Sequence, residues 1–219
     1  MQPTSLSVTA AAGATSPLAS AAPTLMLAAY RQLLCLKGNM KYRVMNTEEI
    51  FRIGEVNREE MVIAKYVAKS DPSGFSISAI REEIDSPSET PHWSEKGIEN
   101  RAKSWKPALE NGGFFYGAFN DDRLAGFVIL GPKKWDDSGE IVALFVDKDQ
   151  RRQGIASKLM KKAEEKAKEM GMNSLFLYSN PTESSVSFYL NNGYRIVGLI
   201  SKEIVRSLPG DIVMAKKIE

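Results

Sequence analysis

Apolar and polar residues alternate through Lys41-Tyr42-Arg43-Val44-Met45, the signature of a short strand with one face on a core. Thr47 then precedes Ile50, Ile53 and Val56, which recur at helical spacing, so a helix capped by Thr47 is predicted. Residues 59–90 have no clear period. Pro72, Gly74 and Pro87 interrupt them, and only residues 78–84 are predicted helical. Ser94 is placed to cap a further helix that runs to Leu109 and stops at Asn111-Gly112-Gly113.

Beyond that stop the period changes to two. Residues 114–119 and 124–130 read as strands joined by the turn Asn120-Asp121-Asp122, and residues 139–146 as a third. Helical spacing returns at Ile155, Leu159, Ala163, Ala167 and Met170 and ends at Gly171. A strand over 174–178, a helix over 182–190 ended by Asn192-Gly193, and strands over 194–205 and 211–217 joined by Leu208-Pro209-Gly210 complete the chain. The order β-α-α-β-β-β-α-β-α-β-β combines antiparallel hairpins with one strand–helix–strand crossover. It is an α+β arrangement, not a doubly wound sheet.

Residues 1–39 differ from the rest. The first 30 contain no charged side chain, and Ala, Ser, Thr and Pro dominate them. Such a segment buries too little apolar surface to offset the entropy of ordering, so it is expected to be a disordered low-complexity extension, with residues 40–219 as the domain. A transit-like peptide, a secretory signal and a lipoprotein signal at Cys35 each fit poorly. The favoured reading is that translation starts at Met40.

With 43% hydrophobic and 26% charged residues the chain falls among globular proteins, and no apolar run approaches the ~20 residues of a membrane span. A net charge of +2 gives no reason to expect a nucleic-acid or membrane partner. A lone Cys35 and a lone His92 build no disulfide or zinc site, and a cytoplasmic setting is expected.

The candidate chemistry lies at Val146-Asp147-Lys148-Asp149-Gln150-Arg151-Arg152-Gln153-Gly154-Ile155-Ala156, where a buried strand passes into an amphipathic helix. Free N–H groups and the positive end of the helix dipole converge at such a junction and favour phosphate oxygens. Gly154 and Ala156 admit close approach, and Arg151 and Arg152 add charge. A capped helix with a solvated basic turn fits the spacing equally well. No Gly-Lys-Ser/Thr follows, so this is not a Walker loop, and the glycine triplet of a dinucleotide fingerprint is missing.

Arg151-Arg152-Gln153-Gly154-Ile155-Ala156, preceded by Leu144-Phe145-Val146, resembles the first signature of the GNAT superfamily of acyl-CoA N-acyltransferases. Ser185-Val186-Ser187-Phe188-Tyr189-Leu190-Asn191-Asn192-Gly193-Tyr194 resembles the second. Together they cover a likeness over residues 40–219. The resemblance implies a mixed, mostly antiparallel twisted sheet of about seven strands with helices on both faces, and acetyl-CoA as cosubstrate. Its pyrophosphate would rest on the backbone of Arg151, Arg152, Gln153, Gly154, Ile155, Ala156 and Ser157, and its pantetheine arm would lie along Leu144, Phe145 and Val146. Tyr189 would protonate the leaving thiolate. Glu140, which strict alternation places on one face with Val142, Leu144 and Val146, would serve as base. The asparagine that usually opens the second signature is Thr182 here, and Asn180 stands two residues earlier as a substitute cofactor contact.

The activity so implied is acetyl transfer to a primary amine, either a small molecule or a peptide, and a homodimer is left open. Residues 71–100 hold seven acids (Asp71, Glu82, Glu83, Asp85, Glu89, Glu95, Glu99) against Arg81 and Lys96. That balance suits a cationic acceptor as well as it suits a solvated surface. Trp93 and Trp105 are expected to staple the helix to the sheet in the core, the alternative being that they line the acceptor pocket. A non-catalytic acyl-CoA-binding module, or a site for another phosphorylated ligand, would keep the basic turn without needing Tyr189.

Overall fold

The computed structural model describes residues 40–70, 73, 76–200 and 212–218. Within strand β5 (Arg123–Lys134), residues 124–131 are all buried. A strand shielded on both sides requires a covering layer on each face of its sheet. In chain order the elements are β1 (Met40–Val44), a 3-10 helix (Thr47–Glu55), β2 (Glu60–Ser70), β3 (Ile77–Thr90), α1 (Glu95–Glu110), β4 (Phe114–Asn120) and β5. There follow β6 (Ser138–Val146), a 3-10 turn (Lys148–Gln150), α2 (Ile155–Glu169), β7 (Ser174–Ser179), α3 (Glu183–Asn191), β8 (Arg195–Leu199) and β9 (Ile212–Lys217).

Seven strands form one sheet in the order β1-β4-β5-β6-β7-β9-β8. Only β6 and β7, joined through α2, run parallel; the other neighbours are antiparallel. One apolar cluster gathers Val128, Leu130, Leu159, Ala163, Leu175 and Tyr194 beneath α2 and α3. The other gathers Ile50, Ile53, Trp105, Leu109, Phe127 and Ile129 beneath the first 3-10 helix and α1. The expected α+β architecture, with helices on both faces of a mostly antiparallel sheet, is what forms.

Helix α2 illustrates how the pattern acts. Ile155, Leu159, Met160, Ala163 and Ala167 are 3% exposed or less and form its inner stripe. Burial of each large member contributes about 2 kcal/mol. The outer face carries the pairs Lys162–Glu165 at 3.1 Å and Lys166–Glu169 at 2.9 Å.

Two expectations are corrected. Asn46, not Thr47, caps the first helix. Its side chain accepts the Glu49 N–H at 3.0 Å while Glu49 Oε2 accepts the Asn46 N–H at 3.1 Å, a reciprocal capping box. Residues 78–84 are not helical but belong to β3, which pairs with β2 in a separate two-stranded ribbon. Their helical spacing gives way to cross-strand pairing, helped by Lys69–Glu82 at 2.6 Å. Both ribbon faces meet solvent over much of their length, so alternation is weak. Between Val62↔Ser88 and Ala64↔Glu83 the register jumps, and residues 84–87 bulge from the ladder. The ribbon docks on the loop before α3 and on the first turn of that helix, through the Tyr66 N–H to the Pro181 carbonyl at 2.7 Å and Arg81–Glu183 at 2.6 Å.

Residues 1–39, the predicted strand portion at 201–205, the turn Leu208-Pro209-Gly210 and Asp211 lie outside the described residues. No described helix is long and apolar enough to cross a membrane.

Glu49 also links fold to pH. Hydrogen bonds from Arg43 at 2.6 and 2.9 Å, with a smaller contribution from the Asn46 N–H, hold its carboxyl at about 2 against the opposing effect of burial. A depressed carboxyl stabilises the fold fully above the ordinary value of 4.5 and loses that contribution as pH falls through about 2. Glu49→Gln should therefore melt below the parent protein at neutral pH. The gap should close over the acid range, as read by circular dichroism at stepped pH.

Candidate active site

Strand β6 pairs with β5 almost throughout, but with β7 only at Ser138↔Ser174, Gly139↔Leu175 and Glu140↔Phe176. Beyond Glu140 the parallel strands part, because β7 follows β9 to Ser179 while β6 follows β5 to Val146. The gap opens a cleft of about 800 Å³ bounded by both strands, the start of α2 and the helix α3.

The register of β6 also slips. Ile141 faces Leu130 and Ala143 faces Ile129, so Val142 is an extra residue, a bulge. Val142, Ala143 and Phe145 join the α1-side cluster, whereas Ile141, Leu144 and Val146 join the α2-side cluster. Glu140 lies upstream of the slip, with its Cβ beside Gly131 on the side taken by Val142 Cγ2. Strict alternation is thus overturned: Glu140 shares a face with Val142 but opposes Leu144 and Val146. Lys134 Nζ holds its carboxylate at 2.5 Å.

Where β6 ends, Asp147 is 1% exposed and accepts three bonds: the Asn57 N–H at 3.0 Å, the Asp149 N–H at 3.0 Å and Arg123 Nη2 at 2.8 Å. Asn57 returns its carbonyl to the Lys148 N–H at 2.8 Å. The root of the turn is therefore clamped to the segment after the first helix. Sequence reasoning passed over Asp147, although an aspartate directly after an apolar strand is a common turn-initiating signal.

Farther along, Arg152 (φ 63°) and Gly154 (φ 78°) adopt left-handed backbone, and Arg151 Nε donates to the Val146 carbonyl at 3.2 Å. Gly154 caps α2 without a side-chain bond, and no acid occupies the first turn. The N–H groups of Ile155, Ala156 and Ser157 precede the first intrahelical bond, Lys158 N–H to the Gly154 carbonyl at 3.1 Å. Nothing lies within 4 Å of where a Gly154 Cβ would stand. Amides without intrahelical partners, an open cradle and two arginines are the chemistry that suits an anion at a helix N-terminus.

The opposite wall is α3. Thr182 caps it through the Ser185 N–H at 3.4 Å. Tyr189 packs edge-on against Phe188 and Tyr194, at centroid distances of 5.2 and 5.7 Å. Burial raises its phenol pKa, so the hydroxyl stays protonated across the ordinary range.

The cleft lining brings together Glu140, Leu144, Phe145, Val146, Arg151, Arg152, Gly154, Ile155, Ala156, Ser157, Asn180 and Tyr189. Gln153 is outside it, exposed, with Nε2 3.5 Å from Gln150 Oε1. Trp105 lines the cleft and Trp93 supports it from the core. Of residues 71–100, only Thr90 reaches the lining among the described residues. Glu82, Glu83, Asp85, Glu89, Glu95 and Glu99 do not, and Asp71 lies outside the described residues. The acidity of that segment therefore gives the cleft no acidic wall there. Sequence reasoning missed Arg58, Glu60 and Arg101, which line the cleft from the loop after the first helix, from β2 and from α1.

Residues 78–194, more than half of the chain, match the model of the Acetyltransferase (GNAT) family. Nourseothricin acetyltransferase has a similar structure at 18% identity and a TM-score of 0.66, over 82% of this chain and 99% of its own. A Bacillus anthracis protein assigned as a streptothricin acetyltransferase, solved with acetyl coenzyme A, aligns at 18% identity and a TM-score of 0.64, over 84% and 99%. The PaiA N-acetyltransferase of Thermoplasma acidophilum, solved with coenzyme A, aligns at 22% identity and a TM-score of 0.52, over 82% and 99%. No curated protein matches the sequence closely enough to be a relative. At these identities the structures share the fold, and the family match spans the splayed strands, the basic turn and the helix of Tyr189: the chain belongs to the acetyltransferase (GNAT) family.

Proposed function

We propose that the protein transfers the acetyl group of acetyl-CoA to a primary amine, of a small molecule or a peptide, by direct attack in a ternary complex. The observation that carries this reading is the parting of β6 from β7 beside the uncapped start of α2. The exposed amides of the turn suit a diphosphate, and the unpaired edge of β6 offers donors and acceptors to the two amides of pantetheine. Structural neighbours solved with acetyl coenzyme A or coenzyme A support the same cosubstrate.

The amine lone pair attacks the thioester carbonyl, a C–N bond forms and the C–S bond breaks. Tyr189 is the acid for the departing thiolate, since it stands on the cleft wall and its phenol carries its proton across the ordinary range. The attacking nitrogen gives its proton to Glu140 or to water at that position. Because the bulge turns Glu140 to the α1 side, that carboxylate faces the side opposite to Leu144 and Val146, and Lys134 fixes its position. Holding both reactants in one cleft supplies several kcal/mol of barrier reduction, about 7 in well-oriented cases.

Titration with acetyl-CoA, CoA and ADP should show thioester and thiol forms binding far more tightly than ADP. Tyr189→Phe should lower kcat by roughly 10²-fold with acetyl-CoA affinity retained. Unchanged turnover, or collapse of binding, removes Tyr189 from the chemistry. Gly154→Ala should cost about 1 kcal/mol of folding stability through its left-handed backbone, read by denaturant melts. It should also weaken acetyl-CoA in calorimetry, because the added methyl enters the cradle.

A further inference from the structure

We infer that Arg58 and Arg101 form an oxyanion-binding subsite on the α1 side of the cleft, so that the amine accepted is itself acidic, carrying a carboxylate or a phosphate. This inference rests on the acetyltransferase reading and names the substrate class for it.

The two guanidiniums are conspicuous by what they lack. Of the other cations on the lining, Lys134 pairs with Glu140, Arg151 bonds the Val146 carbonyl, and Arg152 belongs to the turn proposed for the diphosphate. Arg58 and Arg101 make no ion pair or side-chain hydrogen bond among the described residues, and Arg58 Nε is buried without a partner. Neither acid that reaches the lining pairs with them: Glu140 is held by Lys134, and Glu60 accepts the Ser184 hydroxyl. A buried donor left unmade, as at Arg58 Nε, is costly, and the neighbouring positive charge of Arg101 adds repulsion that an oxyanion relieves. Burial, reinforced by the neighbouring positive charge of Arg101, pushes the Arg58 guanidinium below its ordinary pKa.

Position separates this subsite from the diphosphate turn. Arg58 lies over the Trp93 ring at 4.3 Å and Arg101 over the Trp105 ring at 5.6 Å. Both tryptophans, with Phe145 and Val142, belong to the α1-side cluster, whereas Ile155 at the start of α2 belongs to the other. Glu140 faces the α1 side as well, so a bound oxyanion and the candidate base share the side from which the amine enters. Contact with the indole faces is a cation–π attraction that holds each guanidinium charge in place, and a planar guanidinium offers paired N–H groups to an oxyanion. Arg58 is further held by its neighbour Asn57, whose N–H is bound by Asp147.

The test uses matched amines assayed by thiol release from acetyl-CoA: glycine against glycinamide, β-alanine against β-alaninamide, and aminoethyl phosphate against ethanolamine. For at least one pair the acidic member should be preferred in kcat/KM by about 10-fold or more. Which pair responds distinguishes carboxylate from phosphate and sets the spacing. Arg58→Gln and Arg101→Gln should each move that preference toward unity through KM, with the calorimetric affinity for acetyl-CoA retained. Arg101 is exposed on α1, so its variant guards against a folding defect in the other. Preference for the neutral members in every pair overturns the subsite, as does loss of acetyl-CoA binding in the Arg101 variant. If no amine releases thiol, the acetyltransferase reading fails separately. Calorimetry of the same pairs on CoA-saturated protein then decides the subsite: tighter acidic binding, lost in the variants, upholds it, and equal binding sinks it.

Discussion

The site depends on one constraint of backbone hydrogen bonding: β6 cannot follow two diverging neighbours. It stays with β5 and leaves β7 after Glu140. In a closed sheet the main-chain groups of residues 141–146 facing β7 would be consumed by pairing. Here they line a cleft, where main-chain donors and acceptors not used by β7 can serve a ligand, the Val146 carbonyl being already taken by Arg151 Nε. The dipole of α2 and the left-handed turn at Arg152 and Gly154 meet that cleft at one end and α3 with Tyr189 meets it along a wall, so the three features act as one site.

The second determinant is the extra residue at Val142. By shifting the parity of β6 it assigns side chains before and after it to different faces. Main-chain contacts to a thioester cosubstrate and side-chain contacts to an amine can then be made by the same strand without competing for space. Asp147 joins the two halves, since a single buried carboxylate holds both the turn and the residue that precedes Arg58.

Most of the frame was legible because its period was strong. The stripe of α2, the hairpin of β4 and β5 and the helix carrying Tyr189 follow from spacing that burial reinforces, and twelve of the thirteen expected site residues line the cleft. What escaped depended on tertiary pairing. The bulge leaves no mark in the composition of β6, so alternation put Glu140 on the wrong side relative to Leu144. The β2–β3 ribbon lacks a buried face of its own, and its isoleucines fit a helical period as well as an extended one. Arg58 and Arg101 stand far apart in sequence within unremarkable surroundings, and only the folding of α1 against the loop after the first helix brings them to one wall. The acids of residues 71–100 left a cationic acceptor and a solvated surface both open for the complementary reason, because a charge count carries no direction.

The β2–β3 ribbon stands outside the main sheet and presents strand edges, that of β2 engaged at Tyr66 by the Pro181 carbonyl, and such edges are the feature through which strands of different molecules add to one another. Lys65, Lys69, Glu82 and Glu83 charge those edges, and Pro87 lacks an N–H within the segment that bulges from the ladder. The element docked beside α3 is thereby kept a poor template for self-association, even along β3, whose far side pairs with no other described strand.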